Sequence, residues 1–346
     1  MQEEQVALSV IIIAHQRKEY LASAIESVLA QSLSRRFFEI IVVKDFEDSL
    51  VDELIRDSRC ILLEESPEAT AGQMFARGIE VAAGGIVCFL DDDDEFLPTK
   101  LDYVRRLFEQ YPNVTLIHNE AVYVNSTGEE LSGATSRAKR DNLIISPTSV
   151  GACTKALVAC GIGFNSSSLS IRREELISRL ESLRRIRINC DNFFGLLPLI
   201  KGHDVLCSSQ VLTRYRVHPL NTSGEHVDES RSFIETRRGF YSAVLPDLDL
   251  QLAMASGTVA EDAIRHYSDY TRNLALVTVG PSVLGGRRAR LSSLILNRQF
   301  PIVIRAYPLQ YLLFLMIRVL WHLSPVGSQV TYFKTKLIAS RNDFER

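Results

Sequence analysis

Apolar and polar positions alternate along the first hundred residues in two distinct rhythms. Val6–Ala14 is a short run rich in β-branched residues, and Lys18–Ala30 follows with Leu21, Ala24, Ile25, Val28 and Leu29 at helical spacing. The pattern therefore predicts strand, then helix. Glu39–Val43 reads as a second buried strand, Ile61–Leu63 as a weak third, and Gly72–Ala83 as a helix stopped by Gly84-Gly85. Ile86–Leu90 is the next strand, and Pro98 opens a helix that carries Leu101, Val104, Leu107 and Phe108 on one face. Beyond Asn113 two short strands are expected, Thr115–His118 and Ala121–Val124, then a polar surface loop over Glu129–Pro147.

Strands alternating with helices through short connections predict an α/β fold, Rossmann-like, with a mostly parallel sheet flanked by helices. Ligands of such sheets bind beyond the carboxyl ends of the strands. The polar residues gather there: His15, Gln16 and Arg17 after the first strand, Asp45–Asp48 after the second, and Asp91–Asp94 after the one that follows Gly85.

At 346 residues the chain is long for one compact domain, and two parts are expected: a catalytic domain over 1–222 and a helical region over 223–346. A content of 46% apolar and 23% charged residues describes a folded protein with a substantial core. The net charge of -3 gives no reason to expect a nucleic-acid partner, yet no acidic residue stands between Asp269 and Asp343, where Arg272, Arg287, Arg288, Arg290, Arg298, Arg305, Arg318, Lys334, Lys336 and Arg341 make a cationic segment. The six cysteines form no C-x-x-C pair and read as reduced thiols. The acidic start MQEEQVALSV lacks the basic region of a signal peptide, so a cytoplasmic location is expected.

Four successive carboxylates past a buried strand repel one another and call for a cation. Mg2+ and Mn2+ take oxygen ligands and commonly combine one or two carboxylates with substrate phosphates, which suits the spacing Asp91-x-Asp93. The plainer reading is an acidic helix N-terminus ahead of Pro98. The segments VALSVIIIAHQRKEYLASAIESVLAQSL, FEIIVVKDFED and GQMFARGIEVAAGGIVCFLDDDDEFLPTKL together resemble the family 2 glycosyltransferases of the GT-A fold in order and spacing. The resemblance implies an inverting, metal-dependent transferase of hexosyl type that uses a nucleotide diphosphate sugar, UDP- or GDP-linked. It implies that Ala14 and His15 lie beside the nucleotide, Asp45 at the base, and Asp91 at the ribose or metal, with Asp93 ligating the metal, Mn2+ or Mg2+. Arg17, Gly72 and Asp92 are expected among the donor-binding residues. Two positions depart from the family: Lys44 stands where an acid usually precedes Asp45, and the usual A-R-N-x-G-I helix reads Met74, Phe75, Ala76, Arg77, Gly78, Ile79.

Asp191, in Asn189-Cys190-Asp191-Asn192, matches the second acid of the family's Glu-Asp pair. It is the candidate general base for an acceptor hydroxyl, and equally an N-cap for the apolar helix Phe193–Ile200. Arg214-Tyr215-Arg216-Val217-His218 resembles the family's R-x-H segment, which implies Arg216 at the diphosphate and His218 in the metal shell. GIGFNSSSLS, 161–170, stands where the family builds its sugar and acceptor pocket, or is simply a turn.

Phe300–Leu323 is the most apolar stretch, but Pro301, Arg305, Pro308, Gln310 and Arg318 interrupt it, so a spanning helix is not expected. Helices lying in the membrane interface fit it, as does a helix buried in a core or a dimer interface. With the first, the protein is peripheral at the cytoplasmic face and the acceptor is a lipid-linked phosphate or saccharide; a glycan acceptor and a homo-oligomer stay open. Two rival functions compete. A nucleotidyltransferase would carry a glycine-rich loop where Ala14-His15-Gln16-Arg17 stands, and a non-catalytic membrane-associated scaffold would survive loss of Asp93.

Overall fold

The computed structural model describes residues 6–131, 142–218, 221 and 230–279. Its strands are β1 (Leu8–Ala14), β2 (Phe38–Lys44), β3 (Ile61–Glu64), β4 (Ile86–Asp91), β5 (Glu95–Phe96), β6 (Val114–Val124), β7 (Leu143–Ile145), β8 (Leu169–Arg172) and β9 (Asp204–Arg216). Its helices are α1 (Leu21–Leu29), α2 (Ser49–Asp57), α3 (Ala71–Val81), α4 (Lys100–Gln110), α5 (Val150–Thr154), α6 (Arg173–Ile177), α7 (Leu180–Leu183), α8 (Cys190–Lys201), α9 (Ser230–Ala255) and α10 (Glu261–Val279). The strands form one sheet in the order β3-β2-β1-β4-β8-β6-β9-β5, with β7 paired to β9.

The first four strands are parallel, as alternating strand and helix dictate. From β4 onward the sheet becomes mixed: β8 is antiparallel to both β4 and β6, and β9 is parallel to β6 and antiparallel to β5. The two strands expected at 115–118 and 121–124 are one, β6, whose register against β9 shifts around Glu120. β7 lies inside the segment expected as a loop.

All seven residues of β1 are buried, and they divide by parity. Leu8, Val10, Ile12 and Ala14 pack with α1, α2 and α4, while Ile11 and Ile13 pack with α3 and α8 on the opposite face. Local chemistry fixes the helix starts: Thr70 and Gln73 cap α3 reciprocally, and the Asp48 side chain accepts the Leu50 and Val51 amides of α2. Gly202, at φ 77°, ends α8 in a left-handed turn.

α9 and α10 do not stand apart from the sheet. Ala255, Ala260, Ala263 and Ile264 belong to the same core as α3 and α8, and Tyr241, Val244, Leu245, Leu248 and Ala275 form an adjoining cluster against Ile188. The region expected as a second part from 223 is thus helical where described, but it shares the core of the first. All six cysteines are free. No helix among the described residues is long and apolar enough to cross a membrane. The Phe300–Leu323 stretch and the basic residues beyond Arg272 lie outside the described residues.

Candidate active site

The parallel strands deliver three polar loops to one rim. After β1, Gln16 takes φ 55°, a left-handed conformation that disfavours a side chain. The Asp45 carboxylate at the end of β2 holds it there: Oδ1 accepts the Gln16 N–H at 2.8 Å, and Oδ2 lies 2.6 Å from His15 Nδ1. Arg17 is thereby aimed across β1 at the acidic turn after β4. Its Nη2 is 2.5 Å from Asp92 Oδ1, and its Nη1 is 2.7 Å from Asp93 Oδ2.

The turn itself is tightly held. The Asp94 N–H donates to the Asp91 carbonyl at 3.2 Å, and Asp94 Oδ1 accepts the Arg216 N–H at 2.8 Å. Antiparallel pairing of β5 with β9, Glu95 opposite Arg214, explains why residues more than a hundred positions apart meet here. It carries Arg216 and His218 to the turn: His218 Nε2 is 3.1 Å from Asp93 Oδ2, and the Arg216 Nε–H donates to the Asp93 carbonyl at 2.9 Å.

Burial pushes Asp92 and Asp94 well above the usual carboxylate range. It would do the same to Asp93, but the hydrogen bond from His218 and the charge of Arg17 outweigh it and hold Asp93 below that range. Burial and then the charge of Asp93 push Asp91 up to about 7.

The other side of the site comes from the antiparallel half. Because β8 pairs with β4, Cys88 opposite Ser170, the Asn165–Ser168 turn runs beside Asp91. Ser167 Oγ accepts the Asp91 N–H at 3.0 Å, and the Ser166 hydroxyl donates to Asp91 Oδ2 at 2.6 Å. The adjacent Asn165 N–H donates to Asp191 Oδ2 at 3.1 Å. One short turn thus links Asp91 to Asp191. Burial pushes Asp191 up to about 6, while the Asn192 and Asn165 amides pull the other way. Lys100 anchors the turn from beneath: wholly buried, it donates to the Ser167 carbonyl and to Thr213 Oγ1, and burial brings its amine down to about 7.

Most of the expected residues therefore converge: His15, Arg17, Asp45, Asp91, Asp92, Asp93, His218 and, across the turn, Asp191. Three are placed otherwise. Ala14 is wholly buried, with its methyl in the core. Gly72 is buried at the start of α3, where a Cβ would meet the Leu183 and Ile186 carbonyls at 2.2 and 2.4 Å, so close packing and not a ligand requires the glycine. Arg216, expected at the diphosphate, is 4% exposed and turned onto the chain: it bonds Asp93, Asn125, Ser126 and Glu95 and lies over the Tyr20 ring. Its fork of donors braces the acidic turn. Asn221, Ser166, Ser167 and Lys100 join the site without a signal of their own in the sequence, although the small polar run around Asn165 marked the place. Lys44, the departure beside Asp45, is buried and paired with Asp52 at 3.0 Å.

The donor chemistry fits a hard divalent cation, with carboxylate oxygens from Asp91 and Asp93 and an imidazole from His218. Buried oxygens without a partner, Asp92 Oδ2 and Asp94 Oδ2, mark the turn as richer in acceptors than the chain satisfies. The ligands are not preassembled: among the described residues no three His, Cys, Asp or Glu side chains are grouped to hold a metal. Arg17, His218 and Asn221 instead crowd around Asp93 Oδ2.

Residues 9–162 match the family model described as Glycosyl transferase family 2. Over that segment the chain is similar to the family. An uncharacterised glycosyltransferase of Haemophilus influenzae is 30% identical over 115 residues, 33% of this chain and 38% of that protein; another, of Nostoc, is 36% identical over 121 residues, 32% and 36%. The matches span less than half the length of these curated relatives. Among solved structures, Staphylococcus aureus TarS superposes with a TM-score of 0.53 at 14% identity, over 86% of this chain and 50% of that one. The complex of TarS residues 1–349 with UDP-GlcNAc gives 0.52 at 14%, over 97% and 92%. These likenesses show the GT-A type of fold, and the family 2 segment contains the β1, β2 and β4 loops of the site.

Proposed function

We propose that the protein is an inverting glycosyltransferase that moves a sugar from a nucleotide diphosphate donor to an acceptor hydroxyl. One observation carries the reading: a donor-side carboxylate, Asp91, and a candidate base, Asp191, are tied to successive residues of one turn, Ser166 and Asn165. Inversion by direct displacement needs this pair of functions side by side, one at the departing diphosphate and one at the attacking hydroxyl. The family 2 segment supports it, and the UDP-GlcNAc bound by TarS favours a UDP-sugar as donor.

Each residue then has a role. Asp45 with His15 forms the wall for the base, and Arg17 supplies positive charge at the phosphates. Asp191 takes the proton from the acceptor hydroxyl as that oxygen attacks the anomeric carbon, and the nucleotide diphosphate leaves from the opposite face. Asp91 and Asp93, with His218 behind Asp93, are the residues that would hold Mn2+ or Mg2+, which supplies countercharge to the leaving diphosphate.

The test is turnover of a panel of UDP- and GDP-sugars with Mn2+, read as release of the nucleotide diphosphate. Asp191→Asn is expected to lower kcat by about 10²- to 10⁴-fold while the donor still raises the melting temperature. A wild-type protein that neither binds nor consumes any donor of the panel rejects the reading. For the acceptor we propose a lipid-linked phosphate or saccharide at the cytoplasmic membrane face, on the strength of the acid-free, cationic sequence beyond Asp269. Absence of binding to anionic vesicles at low salt would reject that part alone.

A further inference from the structure

The loop that leads into Asp191 is gripped from outside the sheet. Successive backbone N–H groups of Arg187, Ile188 and Asn189 all donate to the carboxylate of Asp247 on α9, at 2.9 to 3.1 Å. Convergent amides of this kind form a nest for one anion. One helical turn further along α9, Gln251 accepts from Asn192 Nδ2 at 3.1 Å and donates to the Asn189 carbonyl at 3.2 Å. The residues on both sides of Asp191 are thus tied to one helix. Asp247 and Gln251 are each only 1% exposed, and Asn192 is wholly buried, so water offers these groups no alternative partners. Ile188 packs against the cluster formed by α9 and α10, which removes slack from the middle of the loop.

Asp191 itself is held by two backbone amides, Asn192 on Oδ1 and Asn165 on Oδ2. Its direction is therefore inherited from the backbone on which it sits, and α9 fixes that backbone. We propose that Asp247 and Gln251 are positioning residues for Asp191, so that α9, far along the sequence from the donor-binding loops, sets the geometry of proton removal from the acceptor. The proposal rests on the transferase reading for the role of Asp191. On the donor side, Asp45 is bonded by His15 and Gln16, and the Asp91–Asp94 turn by Arg17, His218 and Arg216, so these loops take their support from the sheet and its rim while the Asp191 loop takes its support from α9.

The test uses the full chain with its best nucleotide sugar. Asp247→Asn keeps the shape but replaces one accepting oxygen by an amino group that faces donors. Gln251→Leu removes both side-chain contacts beside Asp191 and leaves the amide nest intact. Each is expected to lower kcat by about ten- to a hundredfold, the scale of a small misplacement of a catalytic group, while the donor KM changes by less than about twofold. Hydrogen exchange at the Arg187–Asn189 amides should accelerate in Asp247→Asn and stay near wild type in Gln251→Leu. A folded variant with wild-type kcat overturns the proposal, as does one whose kcat and donor affinity fall together. A wild-type protein that consumes no nucleotide sugar is a different outcome: it removes the transferase reading and the positioning role with it.

Discussion

Asp91 and Asp191 are both raised by burial, to about 7 and about 6, yet the proposed reaction asks opposite behaviour of them. A carboxylate that serves a cation or a phosphate must be ionised by its ligand, whereas a general base works best when its own affinity for the proton is already raised. The pH dependence follows in sign. As the proposed base Asp191 would act ionised, so kcat is expected to rise with pH through about 6 and to lose that limb in Asp191→Asn, as a pH–rate profile with saturating donor would show. Arg17 makes a second expectation. Bonded to Asp92 and Asp93, it supplies the countercharge that a buried acidic turn requires. Arg17→Ala should lower stability by about 1–3 kcal/mol, less than for a fully buried pair because the guanidinium reaches water. Added Mn2+ should raise the melting temperature of this variant more than that of wild type; equal shifts in the two would show that Arg17 and a cation do not answer the same charge.

At the scale of elements, the half of the sheet that could be read in the sequence is the parallel half. β1, β2 and β4 are largely apolar runs, interrupted only by Ser9 and Glu39 and leading into polar residues, which is what burial on both faces produces. The antiparallel half left weak traces: β7 and β8 have three and four residues, and β9 mixes polar and apolar positions because it is only partly buried along its length. Asp191 and the R-x-H segment were visible as residues, but their distance from the acidic turn is a consequence of β8 and β5 pairings that local pattern does not specify. Gly72 shows the reverse case, a residue legible as significant whose reason is packing. The start of α3 presses on the loop after α7, where Ala71 N–H donates to the Arg187 carbonyl at 3.1 Å. Gly72→Ala would drive a methyl into two backbone carbonyls, which side-chain rotation cannot relieve. It is expected to cost about 1–3 kcal/mol, measured by chemical denaturation, with little change in donor KM.

For the whole molecule, the decisive relation is between the sheet and the chain beyond 222. The apolar pattern of α9 and α10 shows that they bury a face, but not that Asp247 and Gln251 turn inward to hold the Asp191 loop; buried polar residues look like surface residues until their partners are known. Two truncations separate what this region does for folding from what the cationic sequence after it is proposed to do. A chain ending after residue 222 would lose Ala255, Ala260, Ala263 and Ile264 from the main core and leave the Arg187–Asn189 amides without their acceptor. It is expected to be recovered aggregated or with no cooperative unfolding transition. A chain ending after Val279 keeps every one of those contacts. It should unfold cooperatively and show the donor-induced rise in melting temperature of the full chain, because Asp45, Arg17 and the acidic turn are untouched. Its binding to anionic vesicles, by contrast, should fall by at least tenfold at low salt, since about 1 kcal/mol per basic residue near such a surface is lost with the segment. If the shorter of the two folds and turns over donor, the catalytic unit ends before α9 and the clasp on Asp191 is dispensable. If the longer one binds vesicles as the full chain does, the membrane contact belongs to the body of the protein and not to its cationic end.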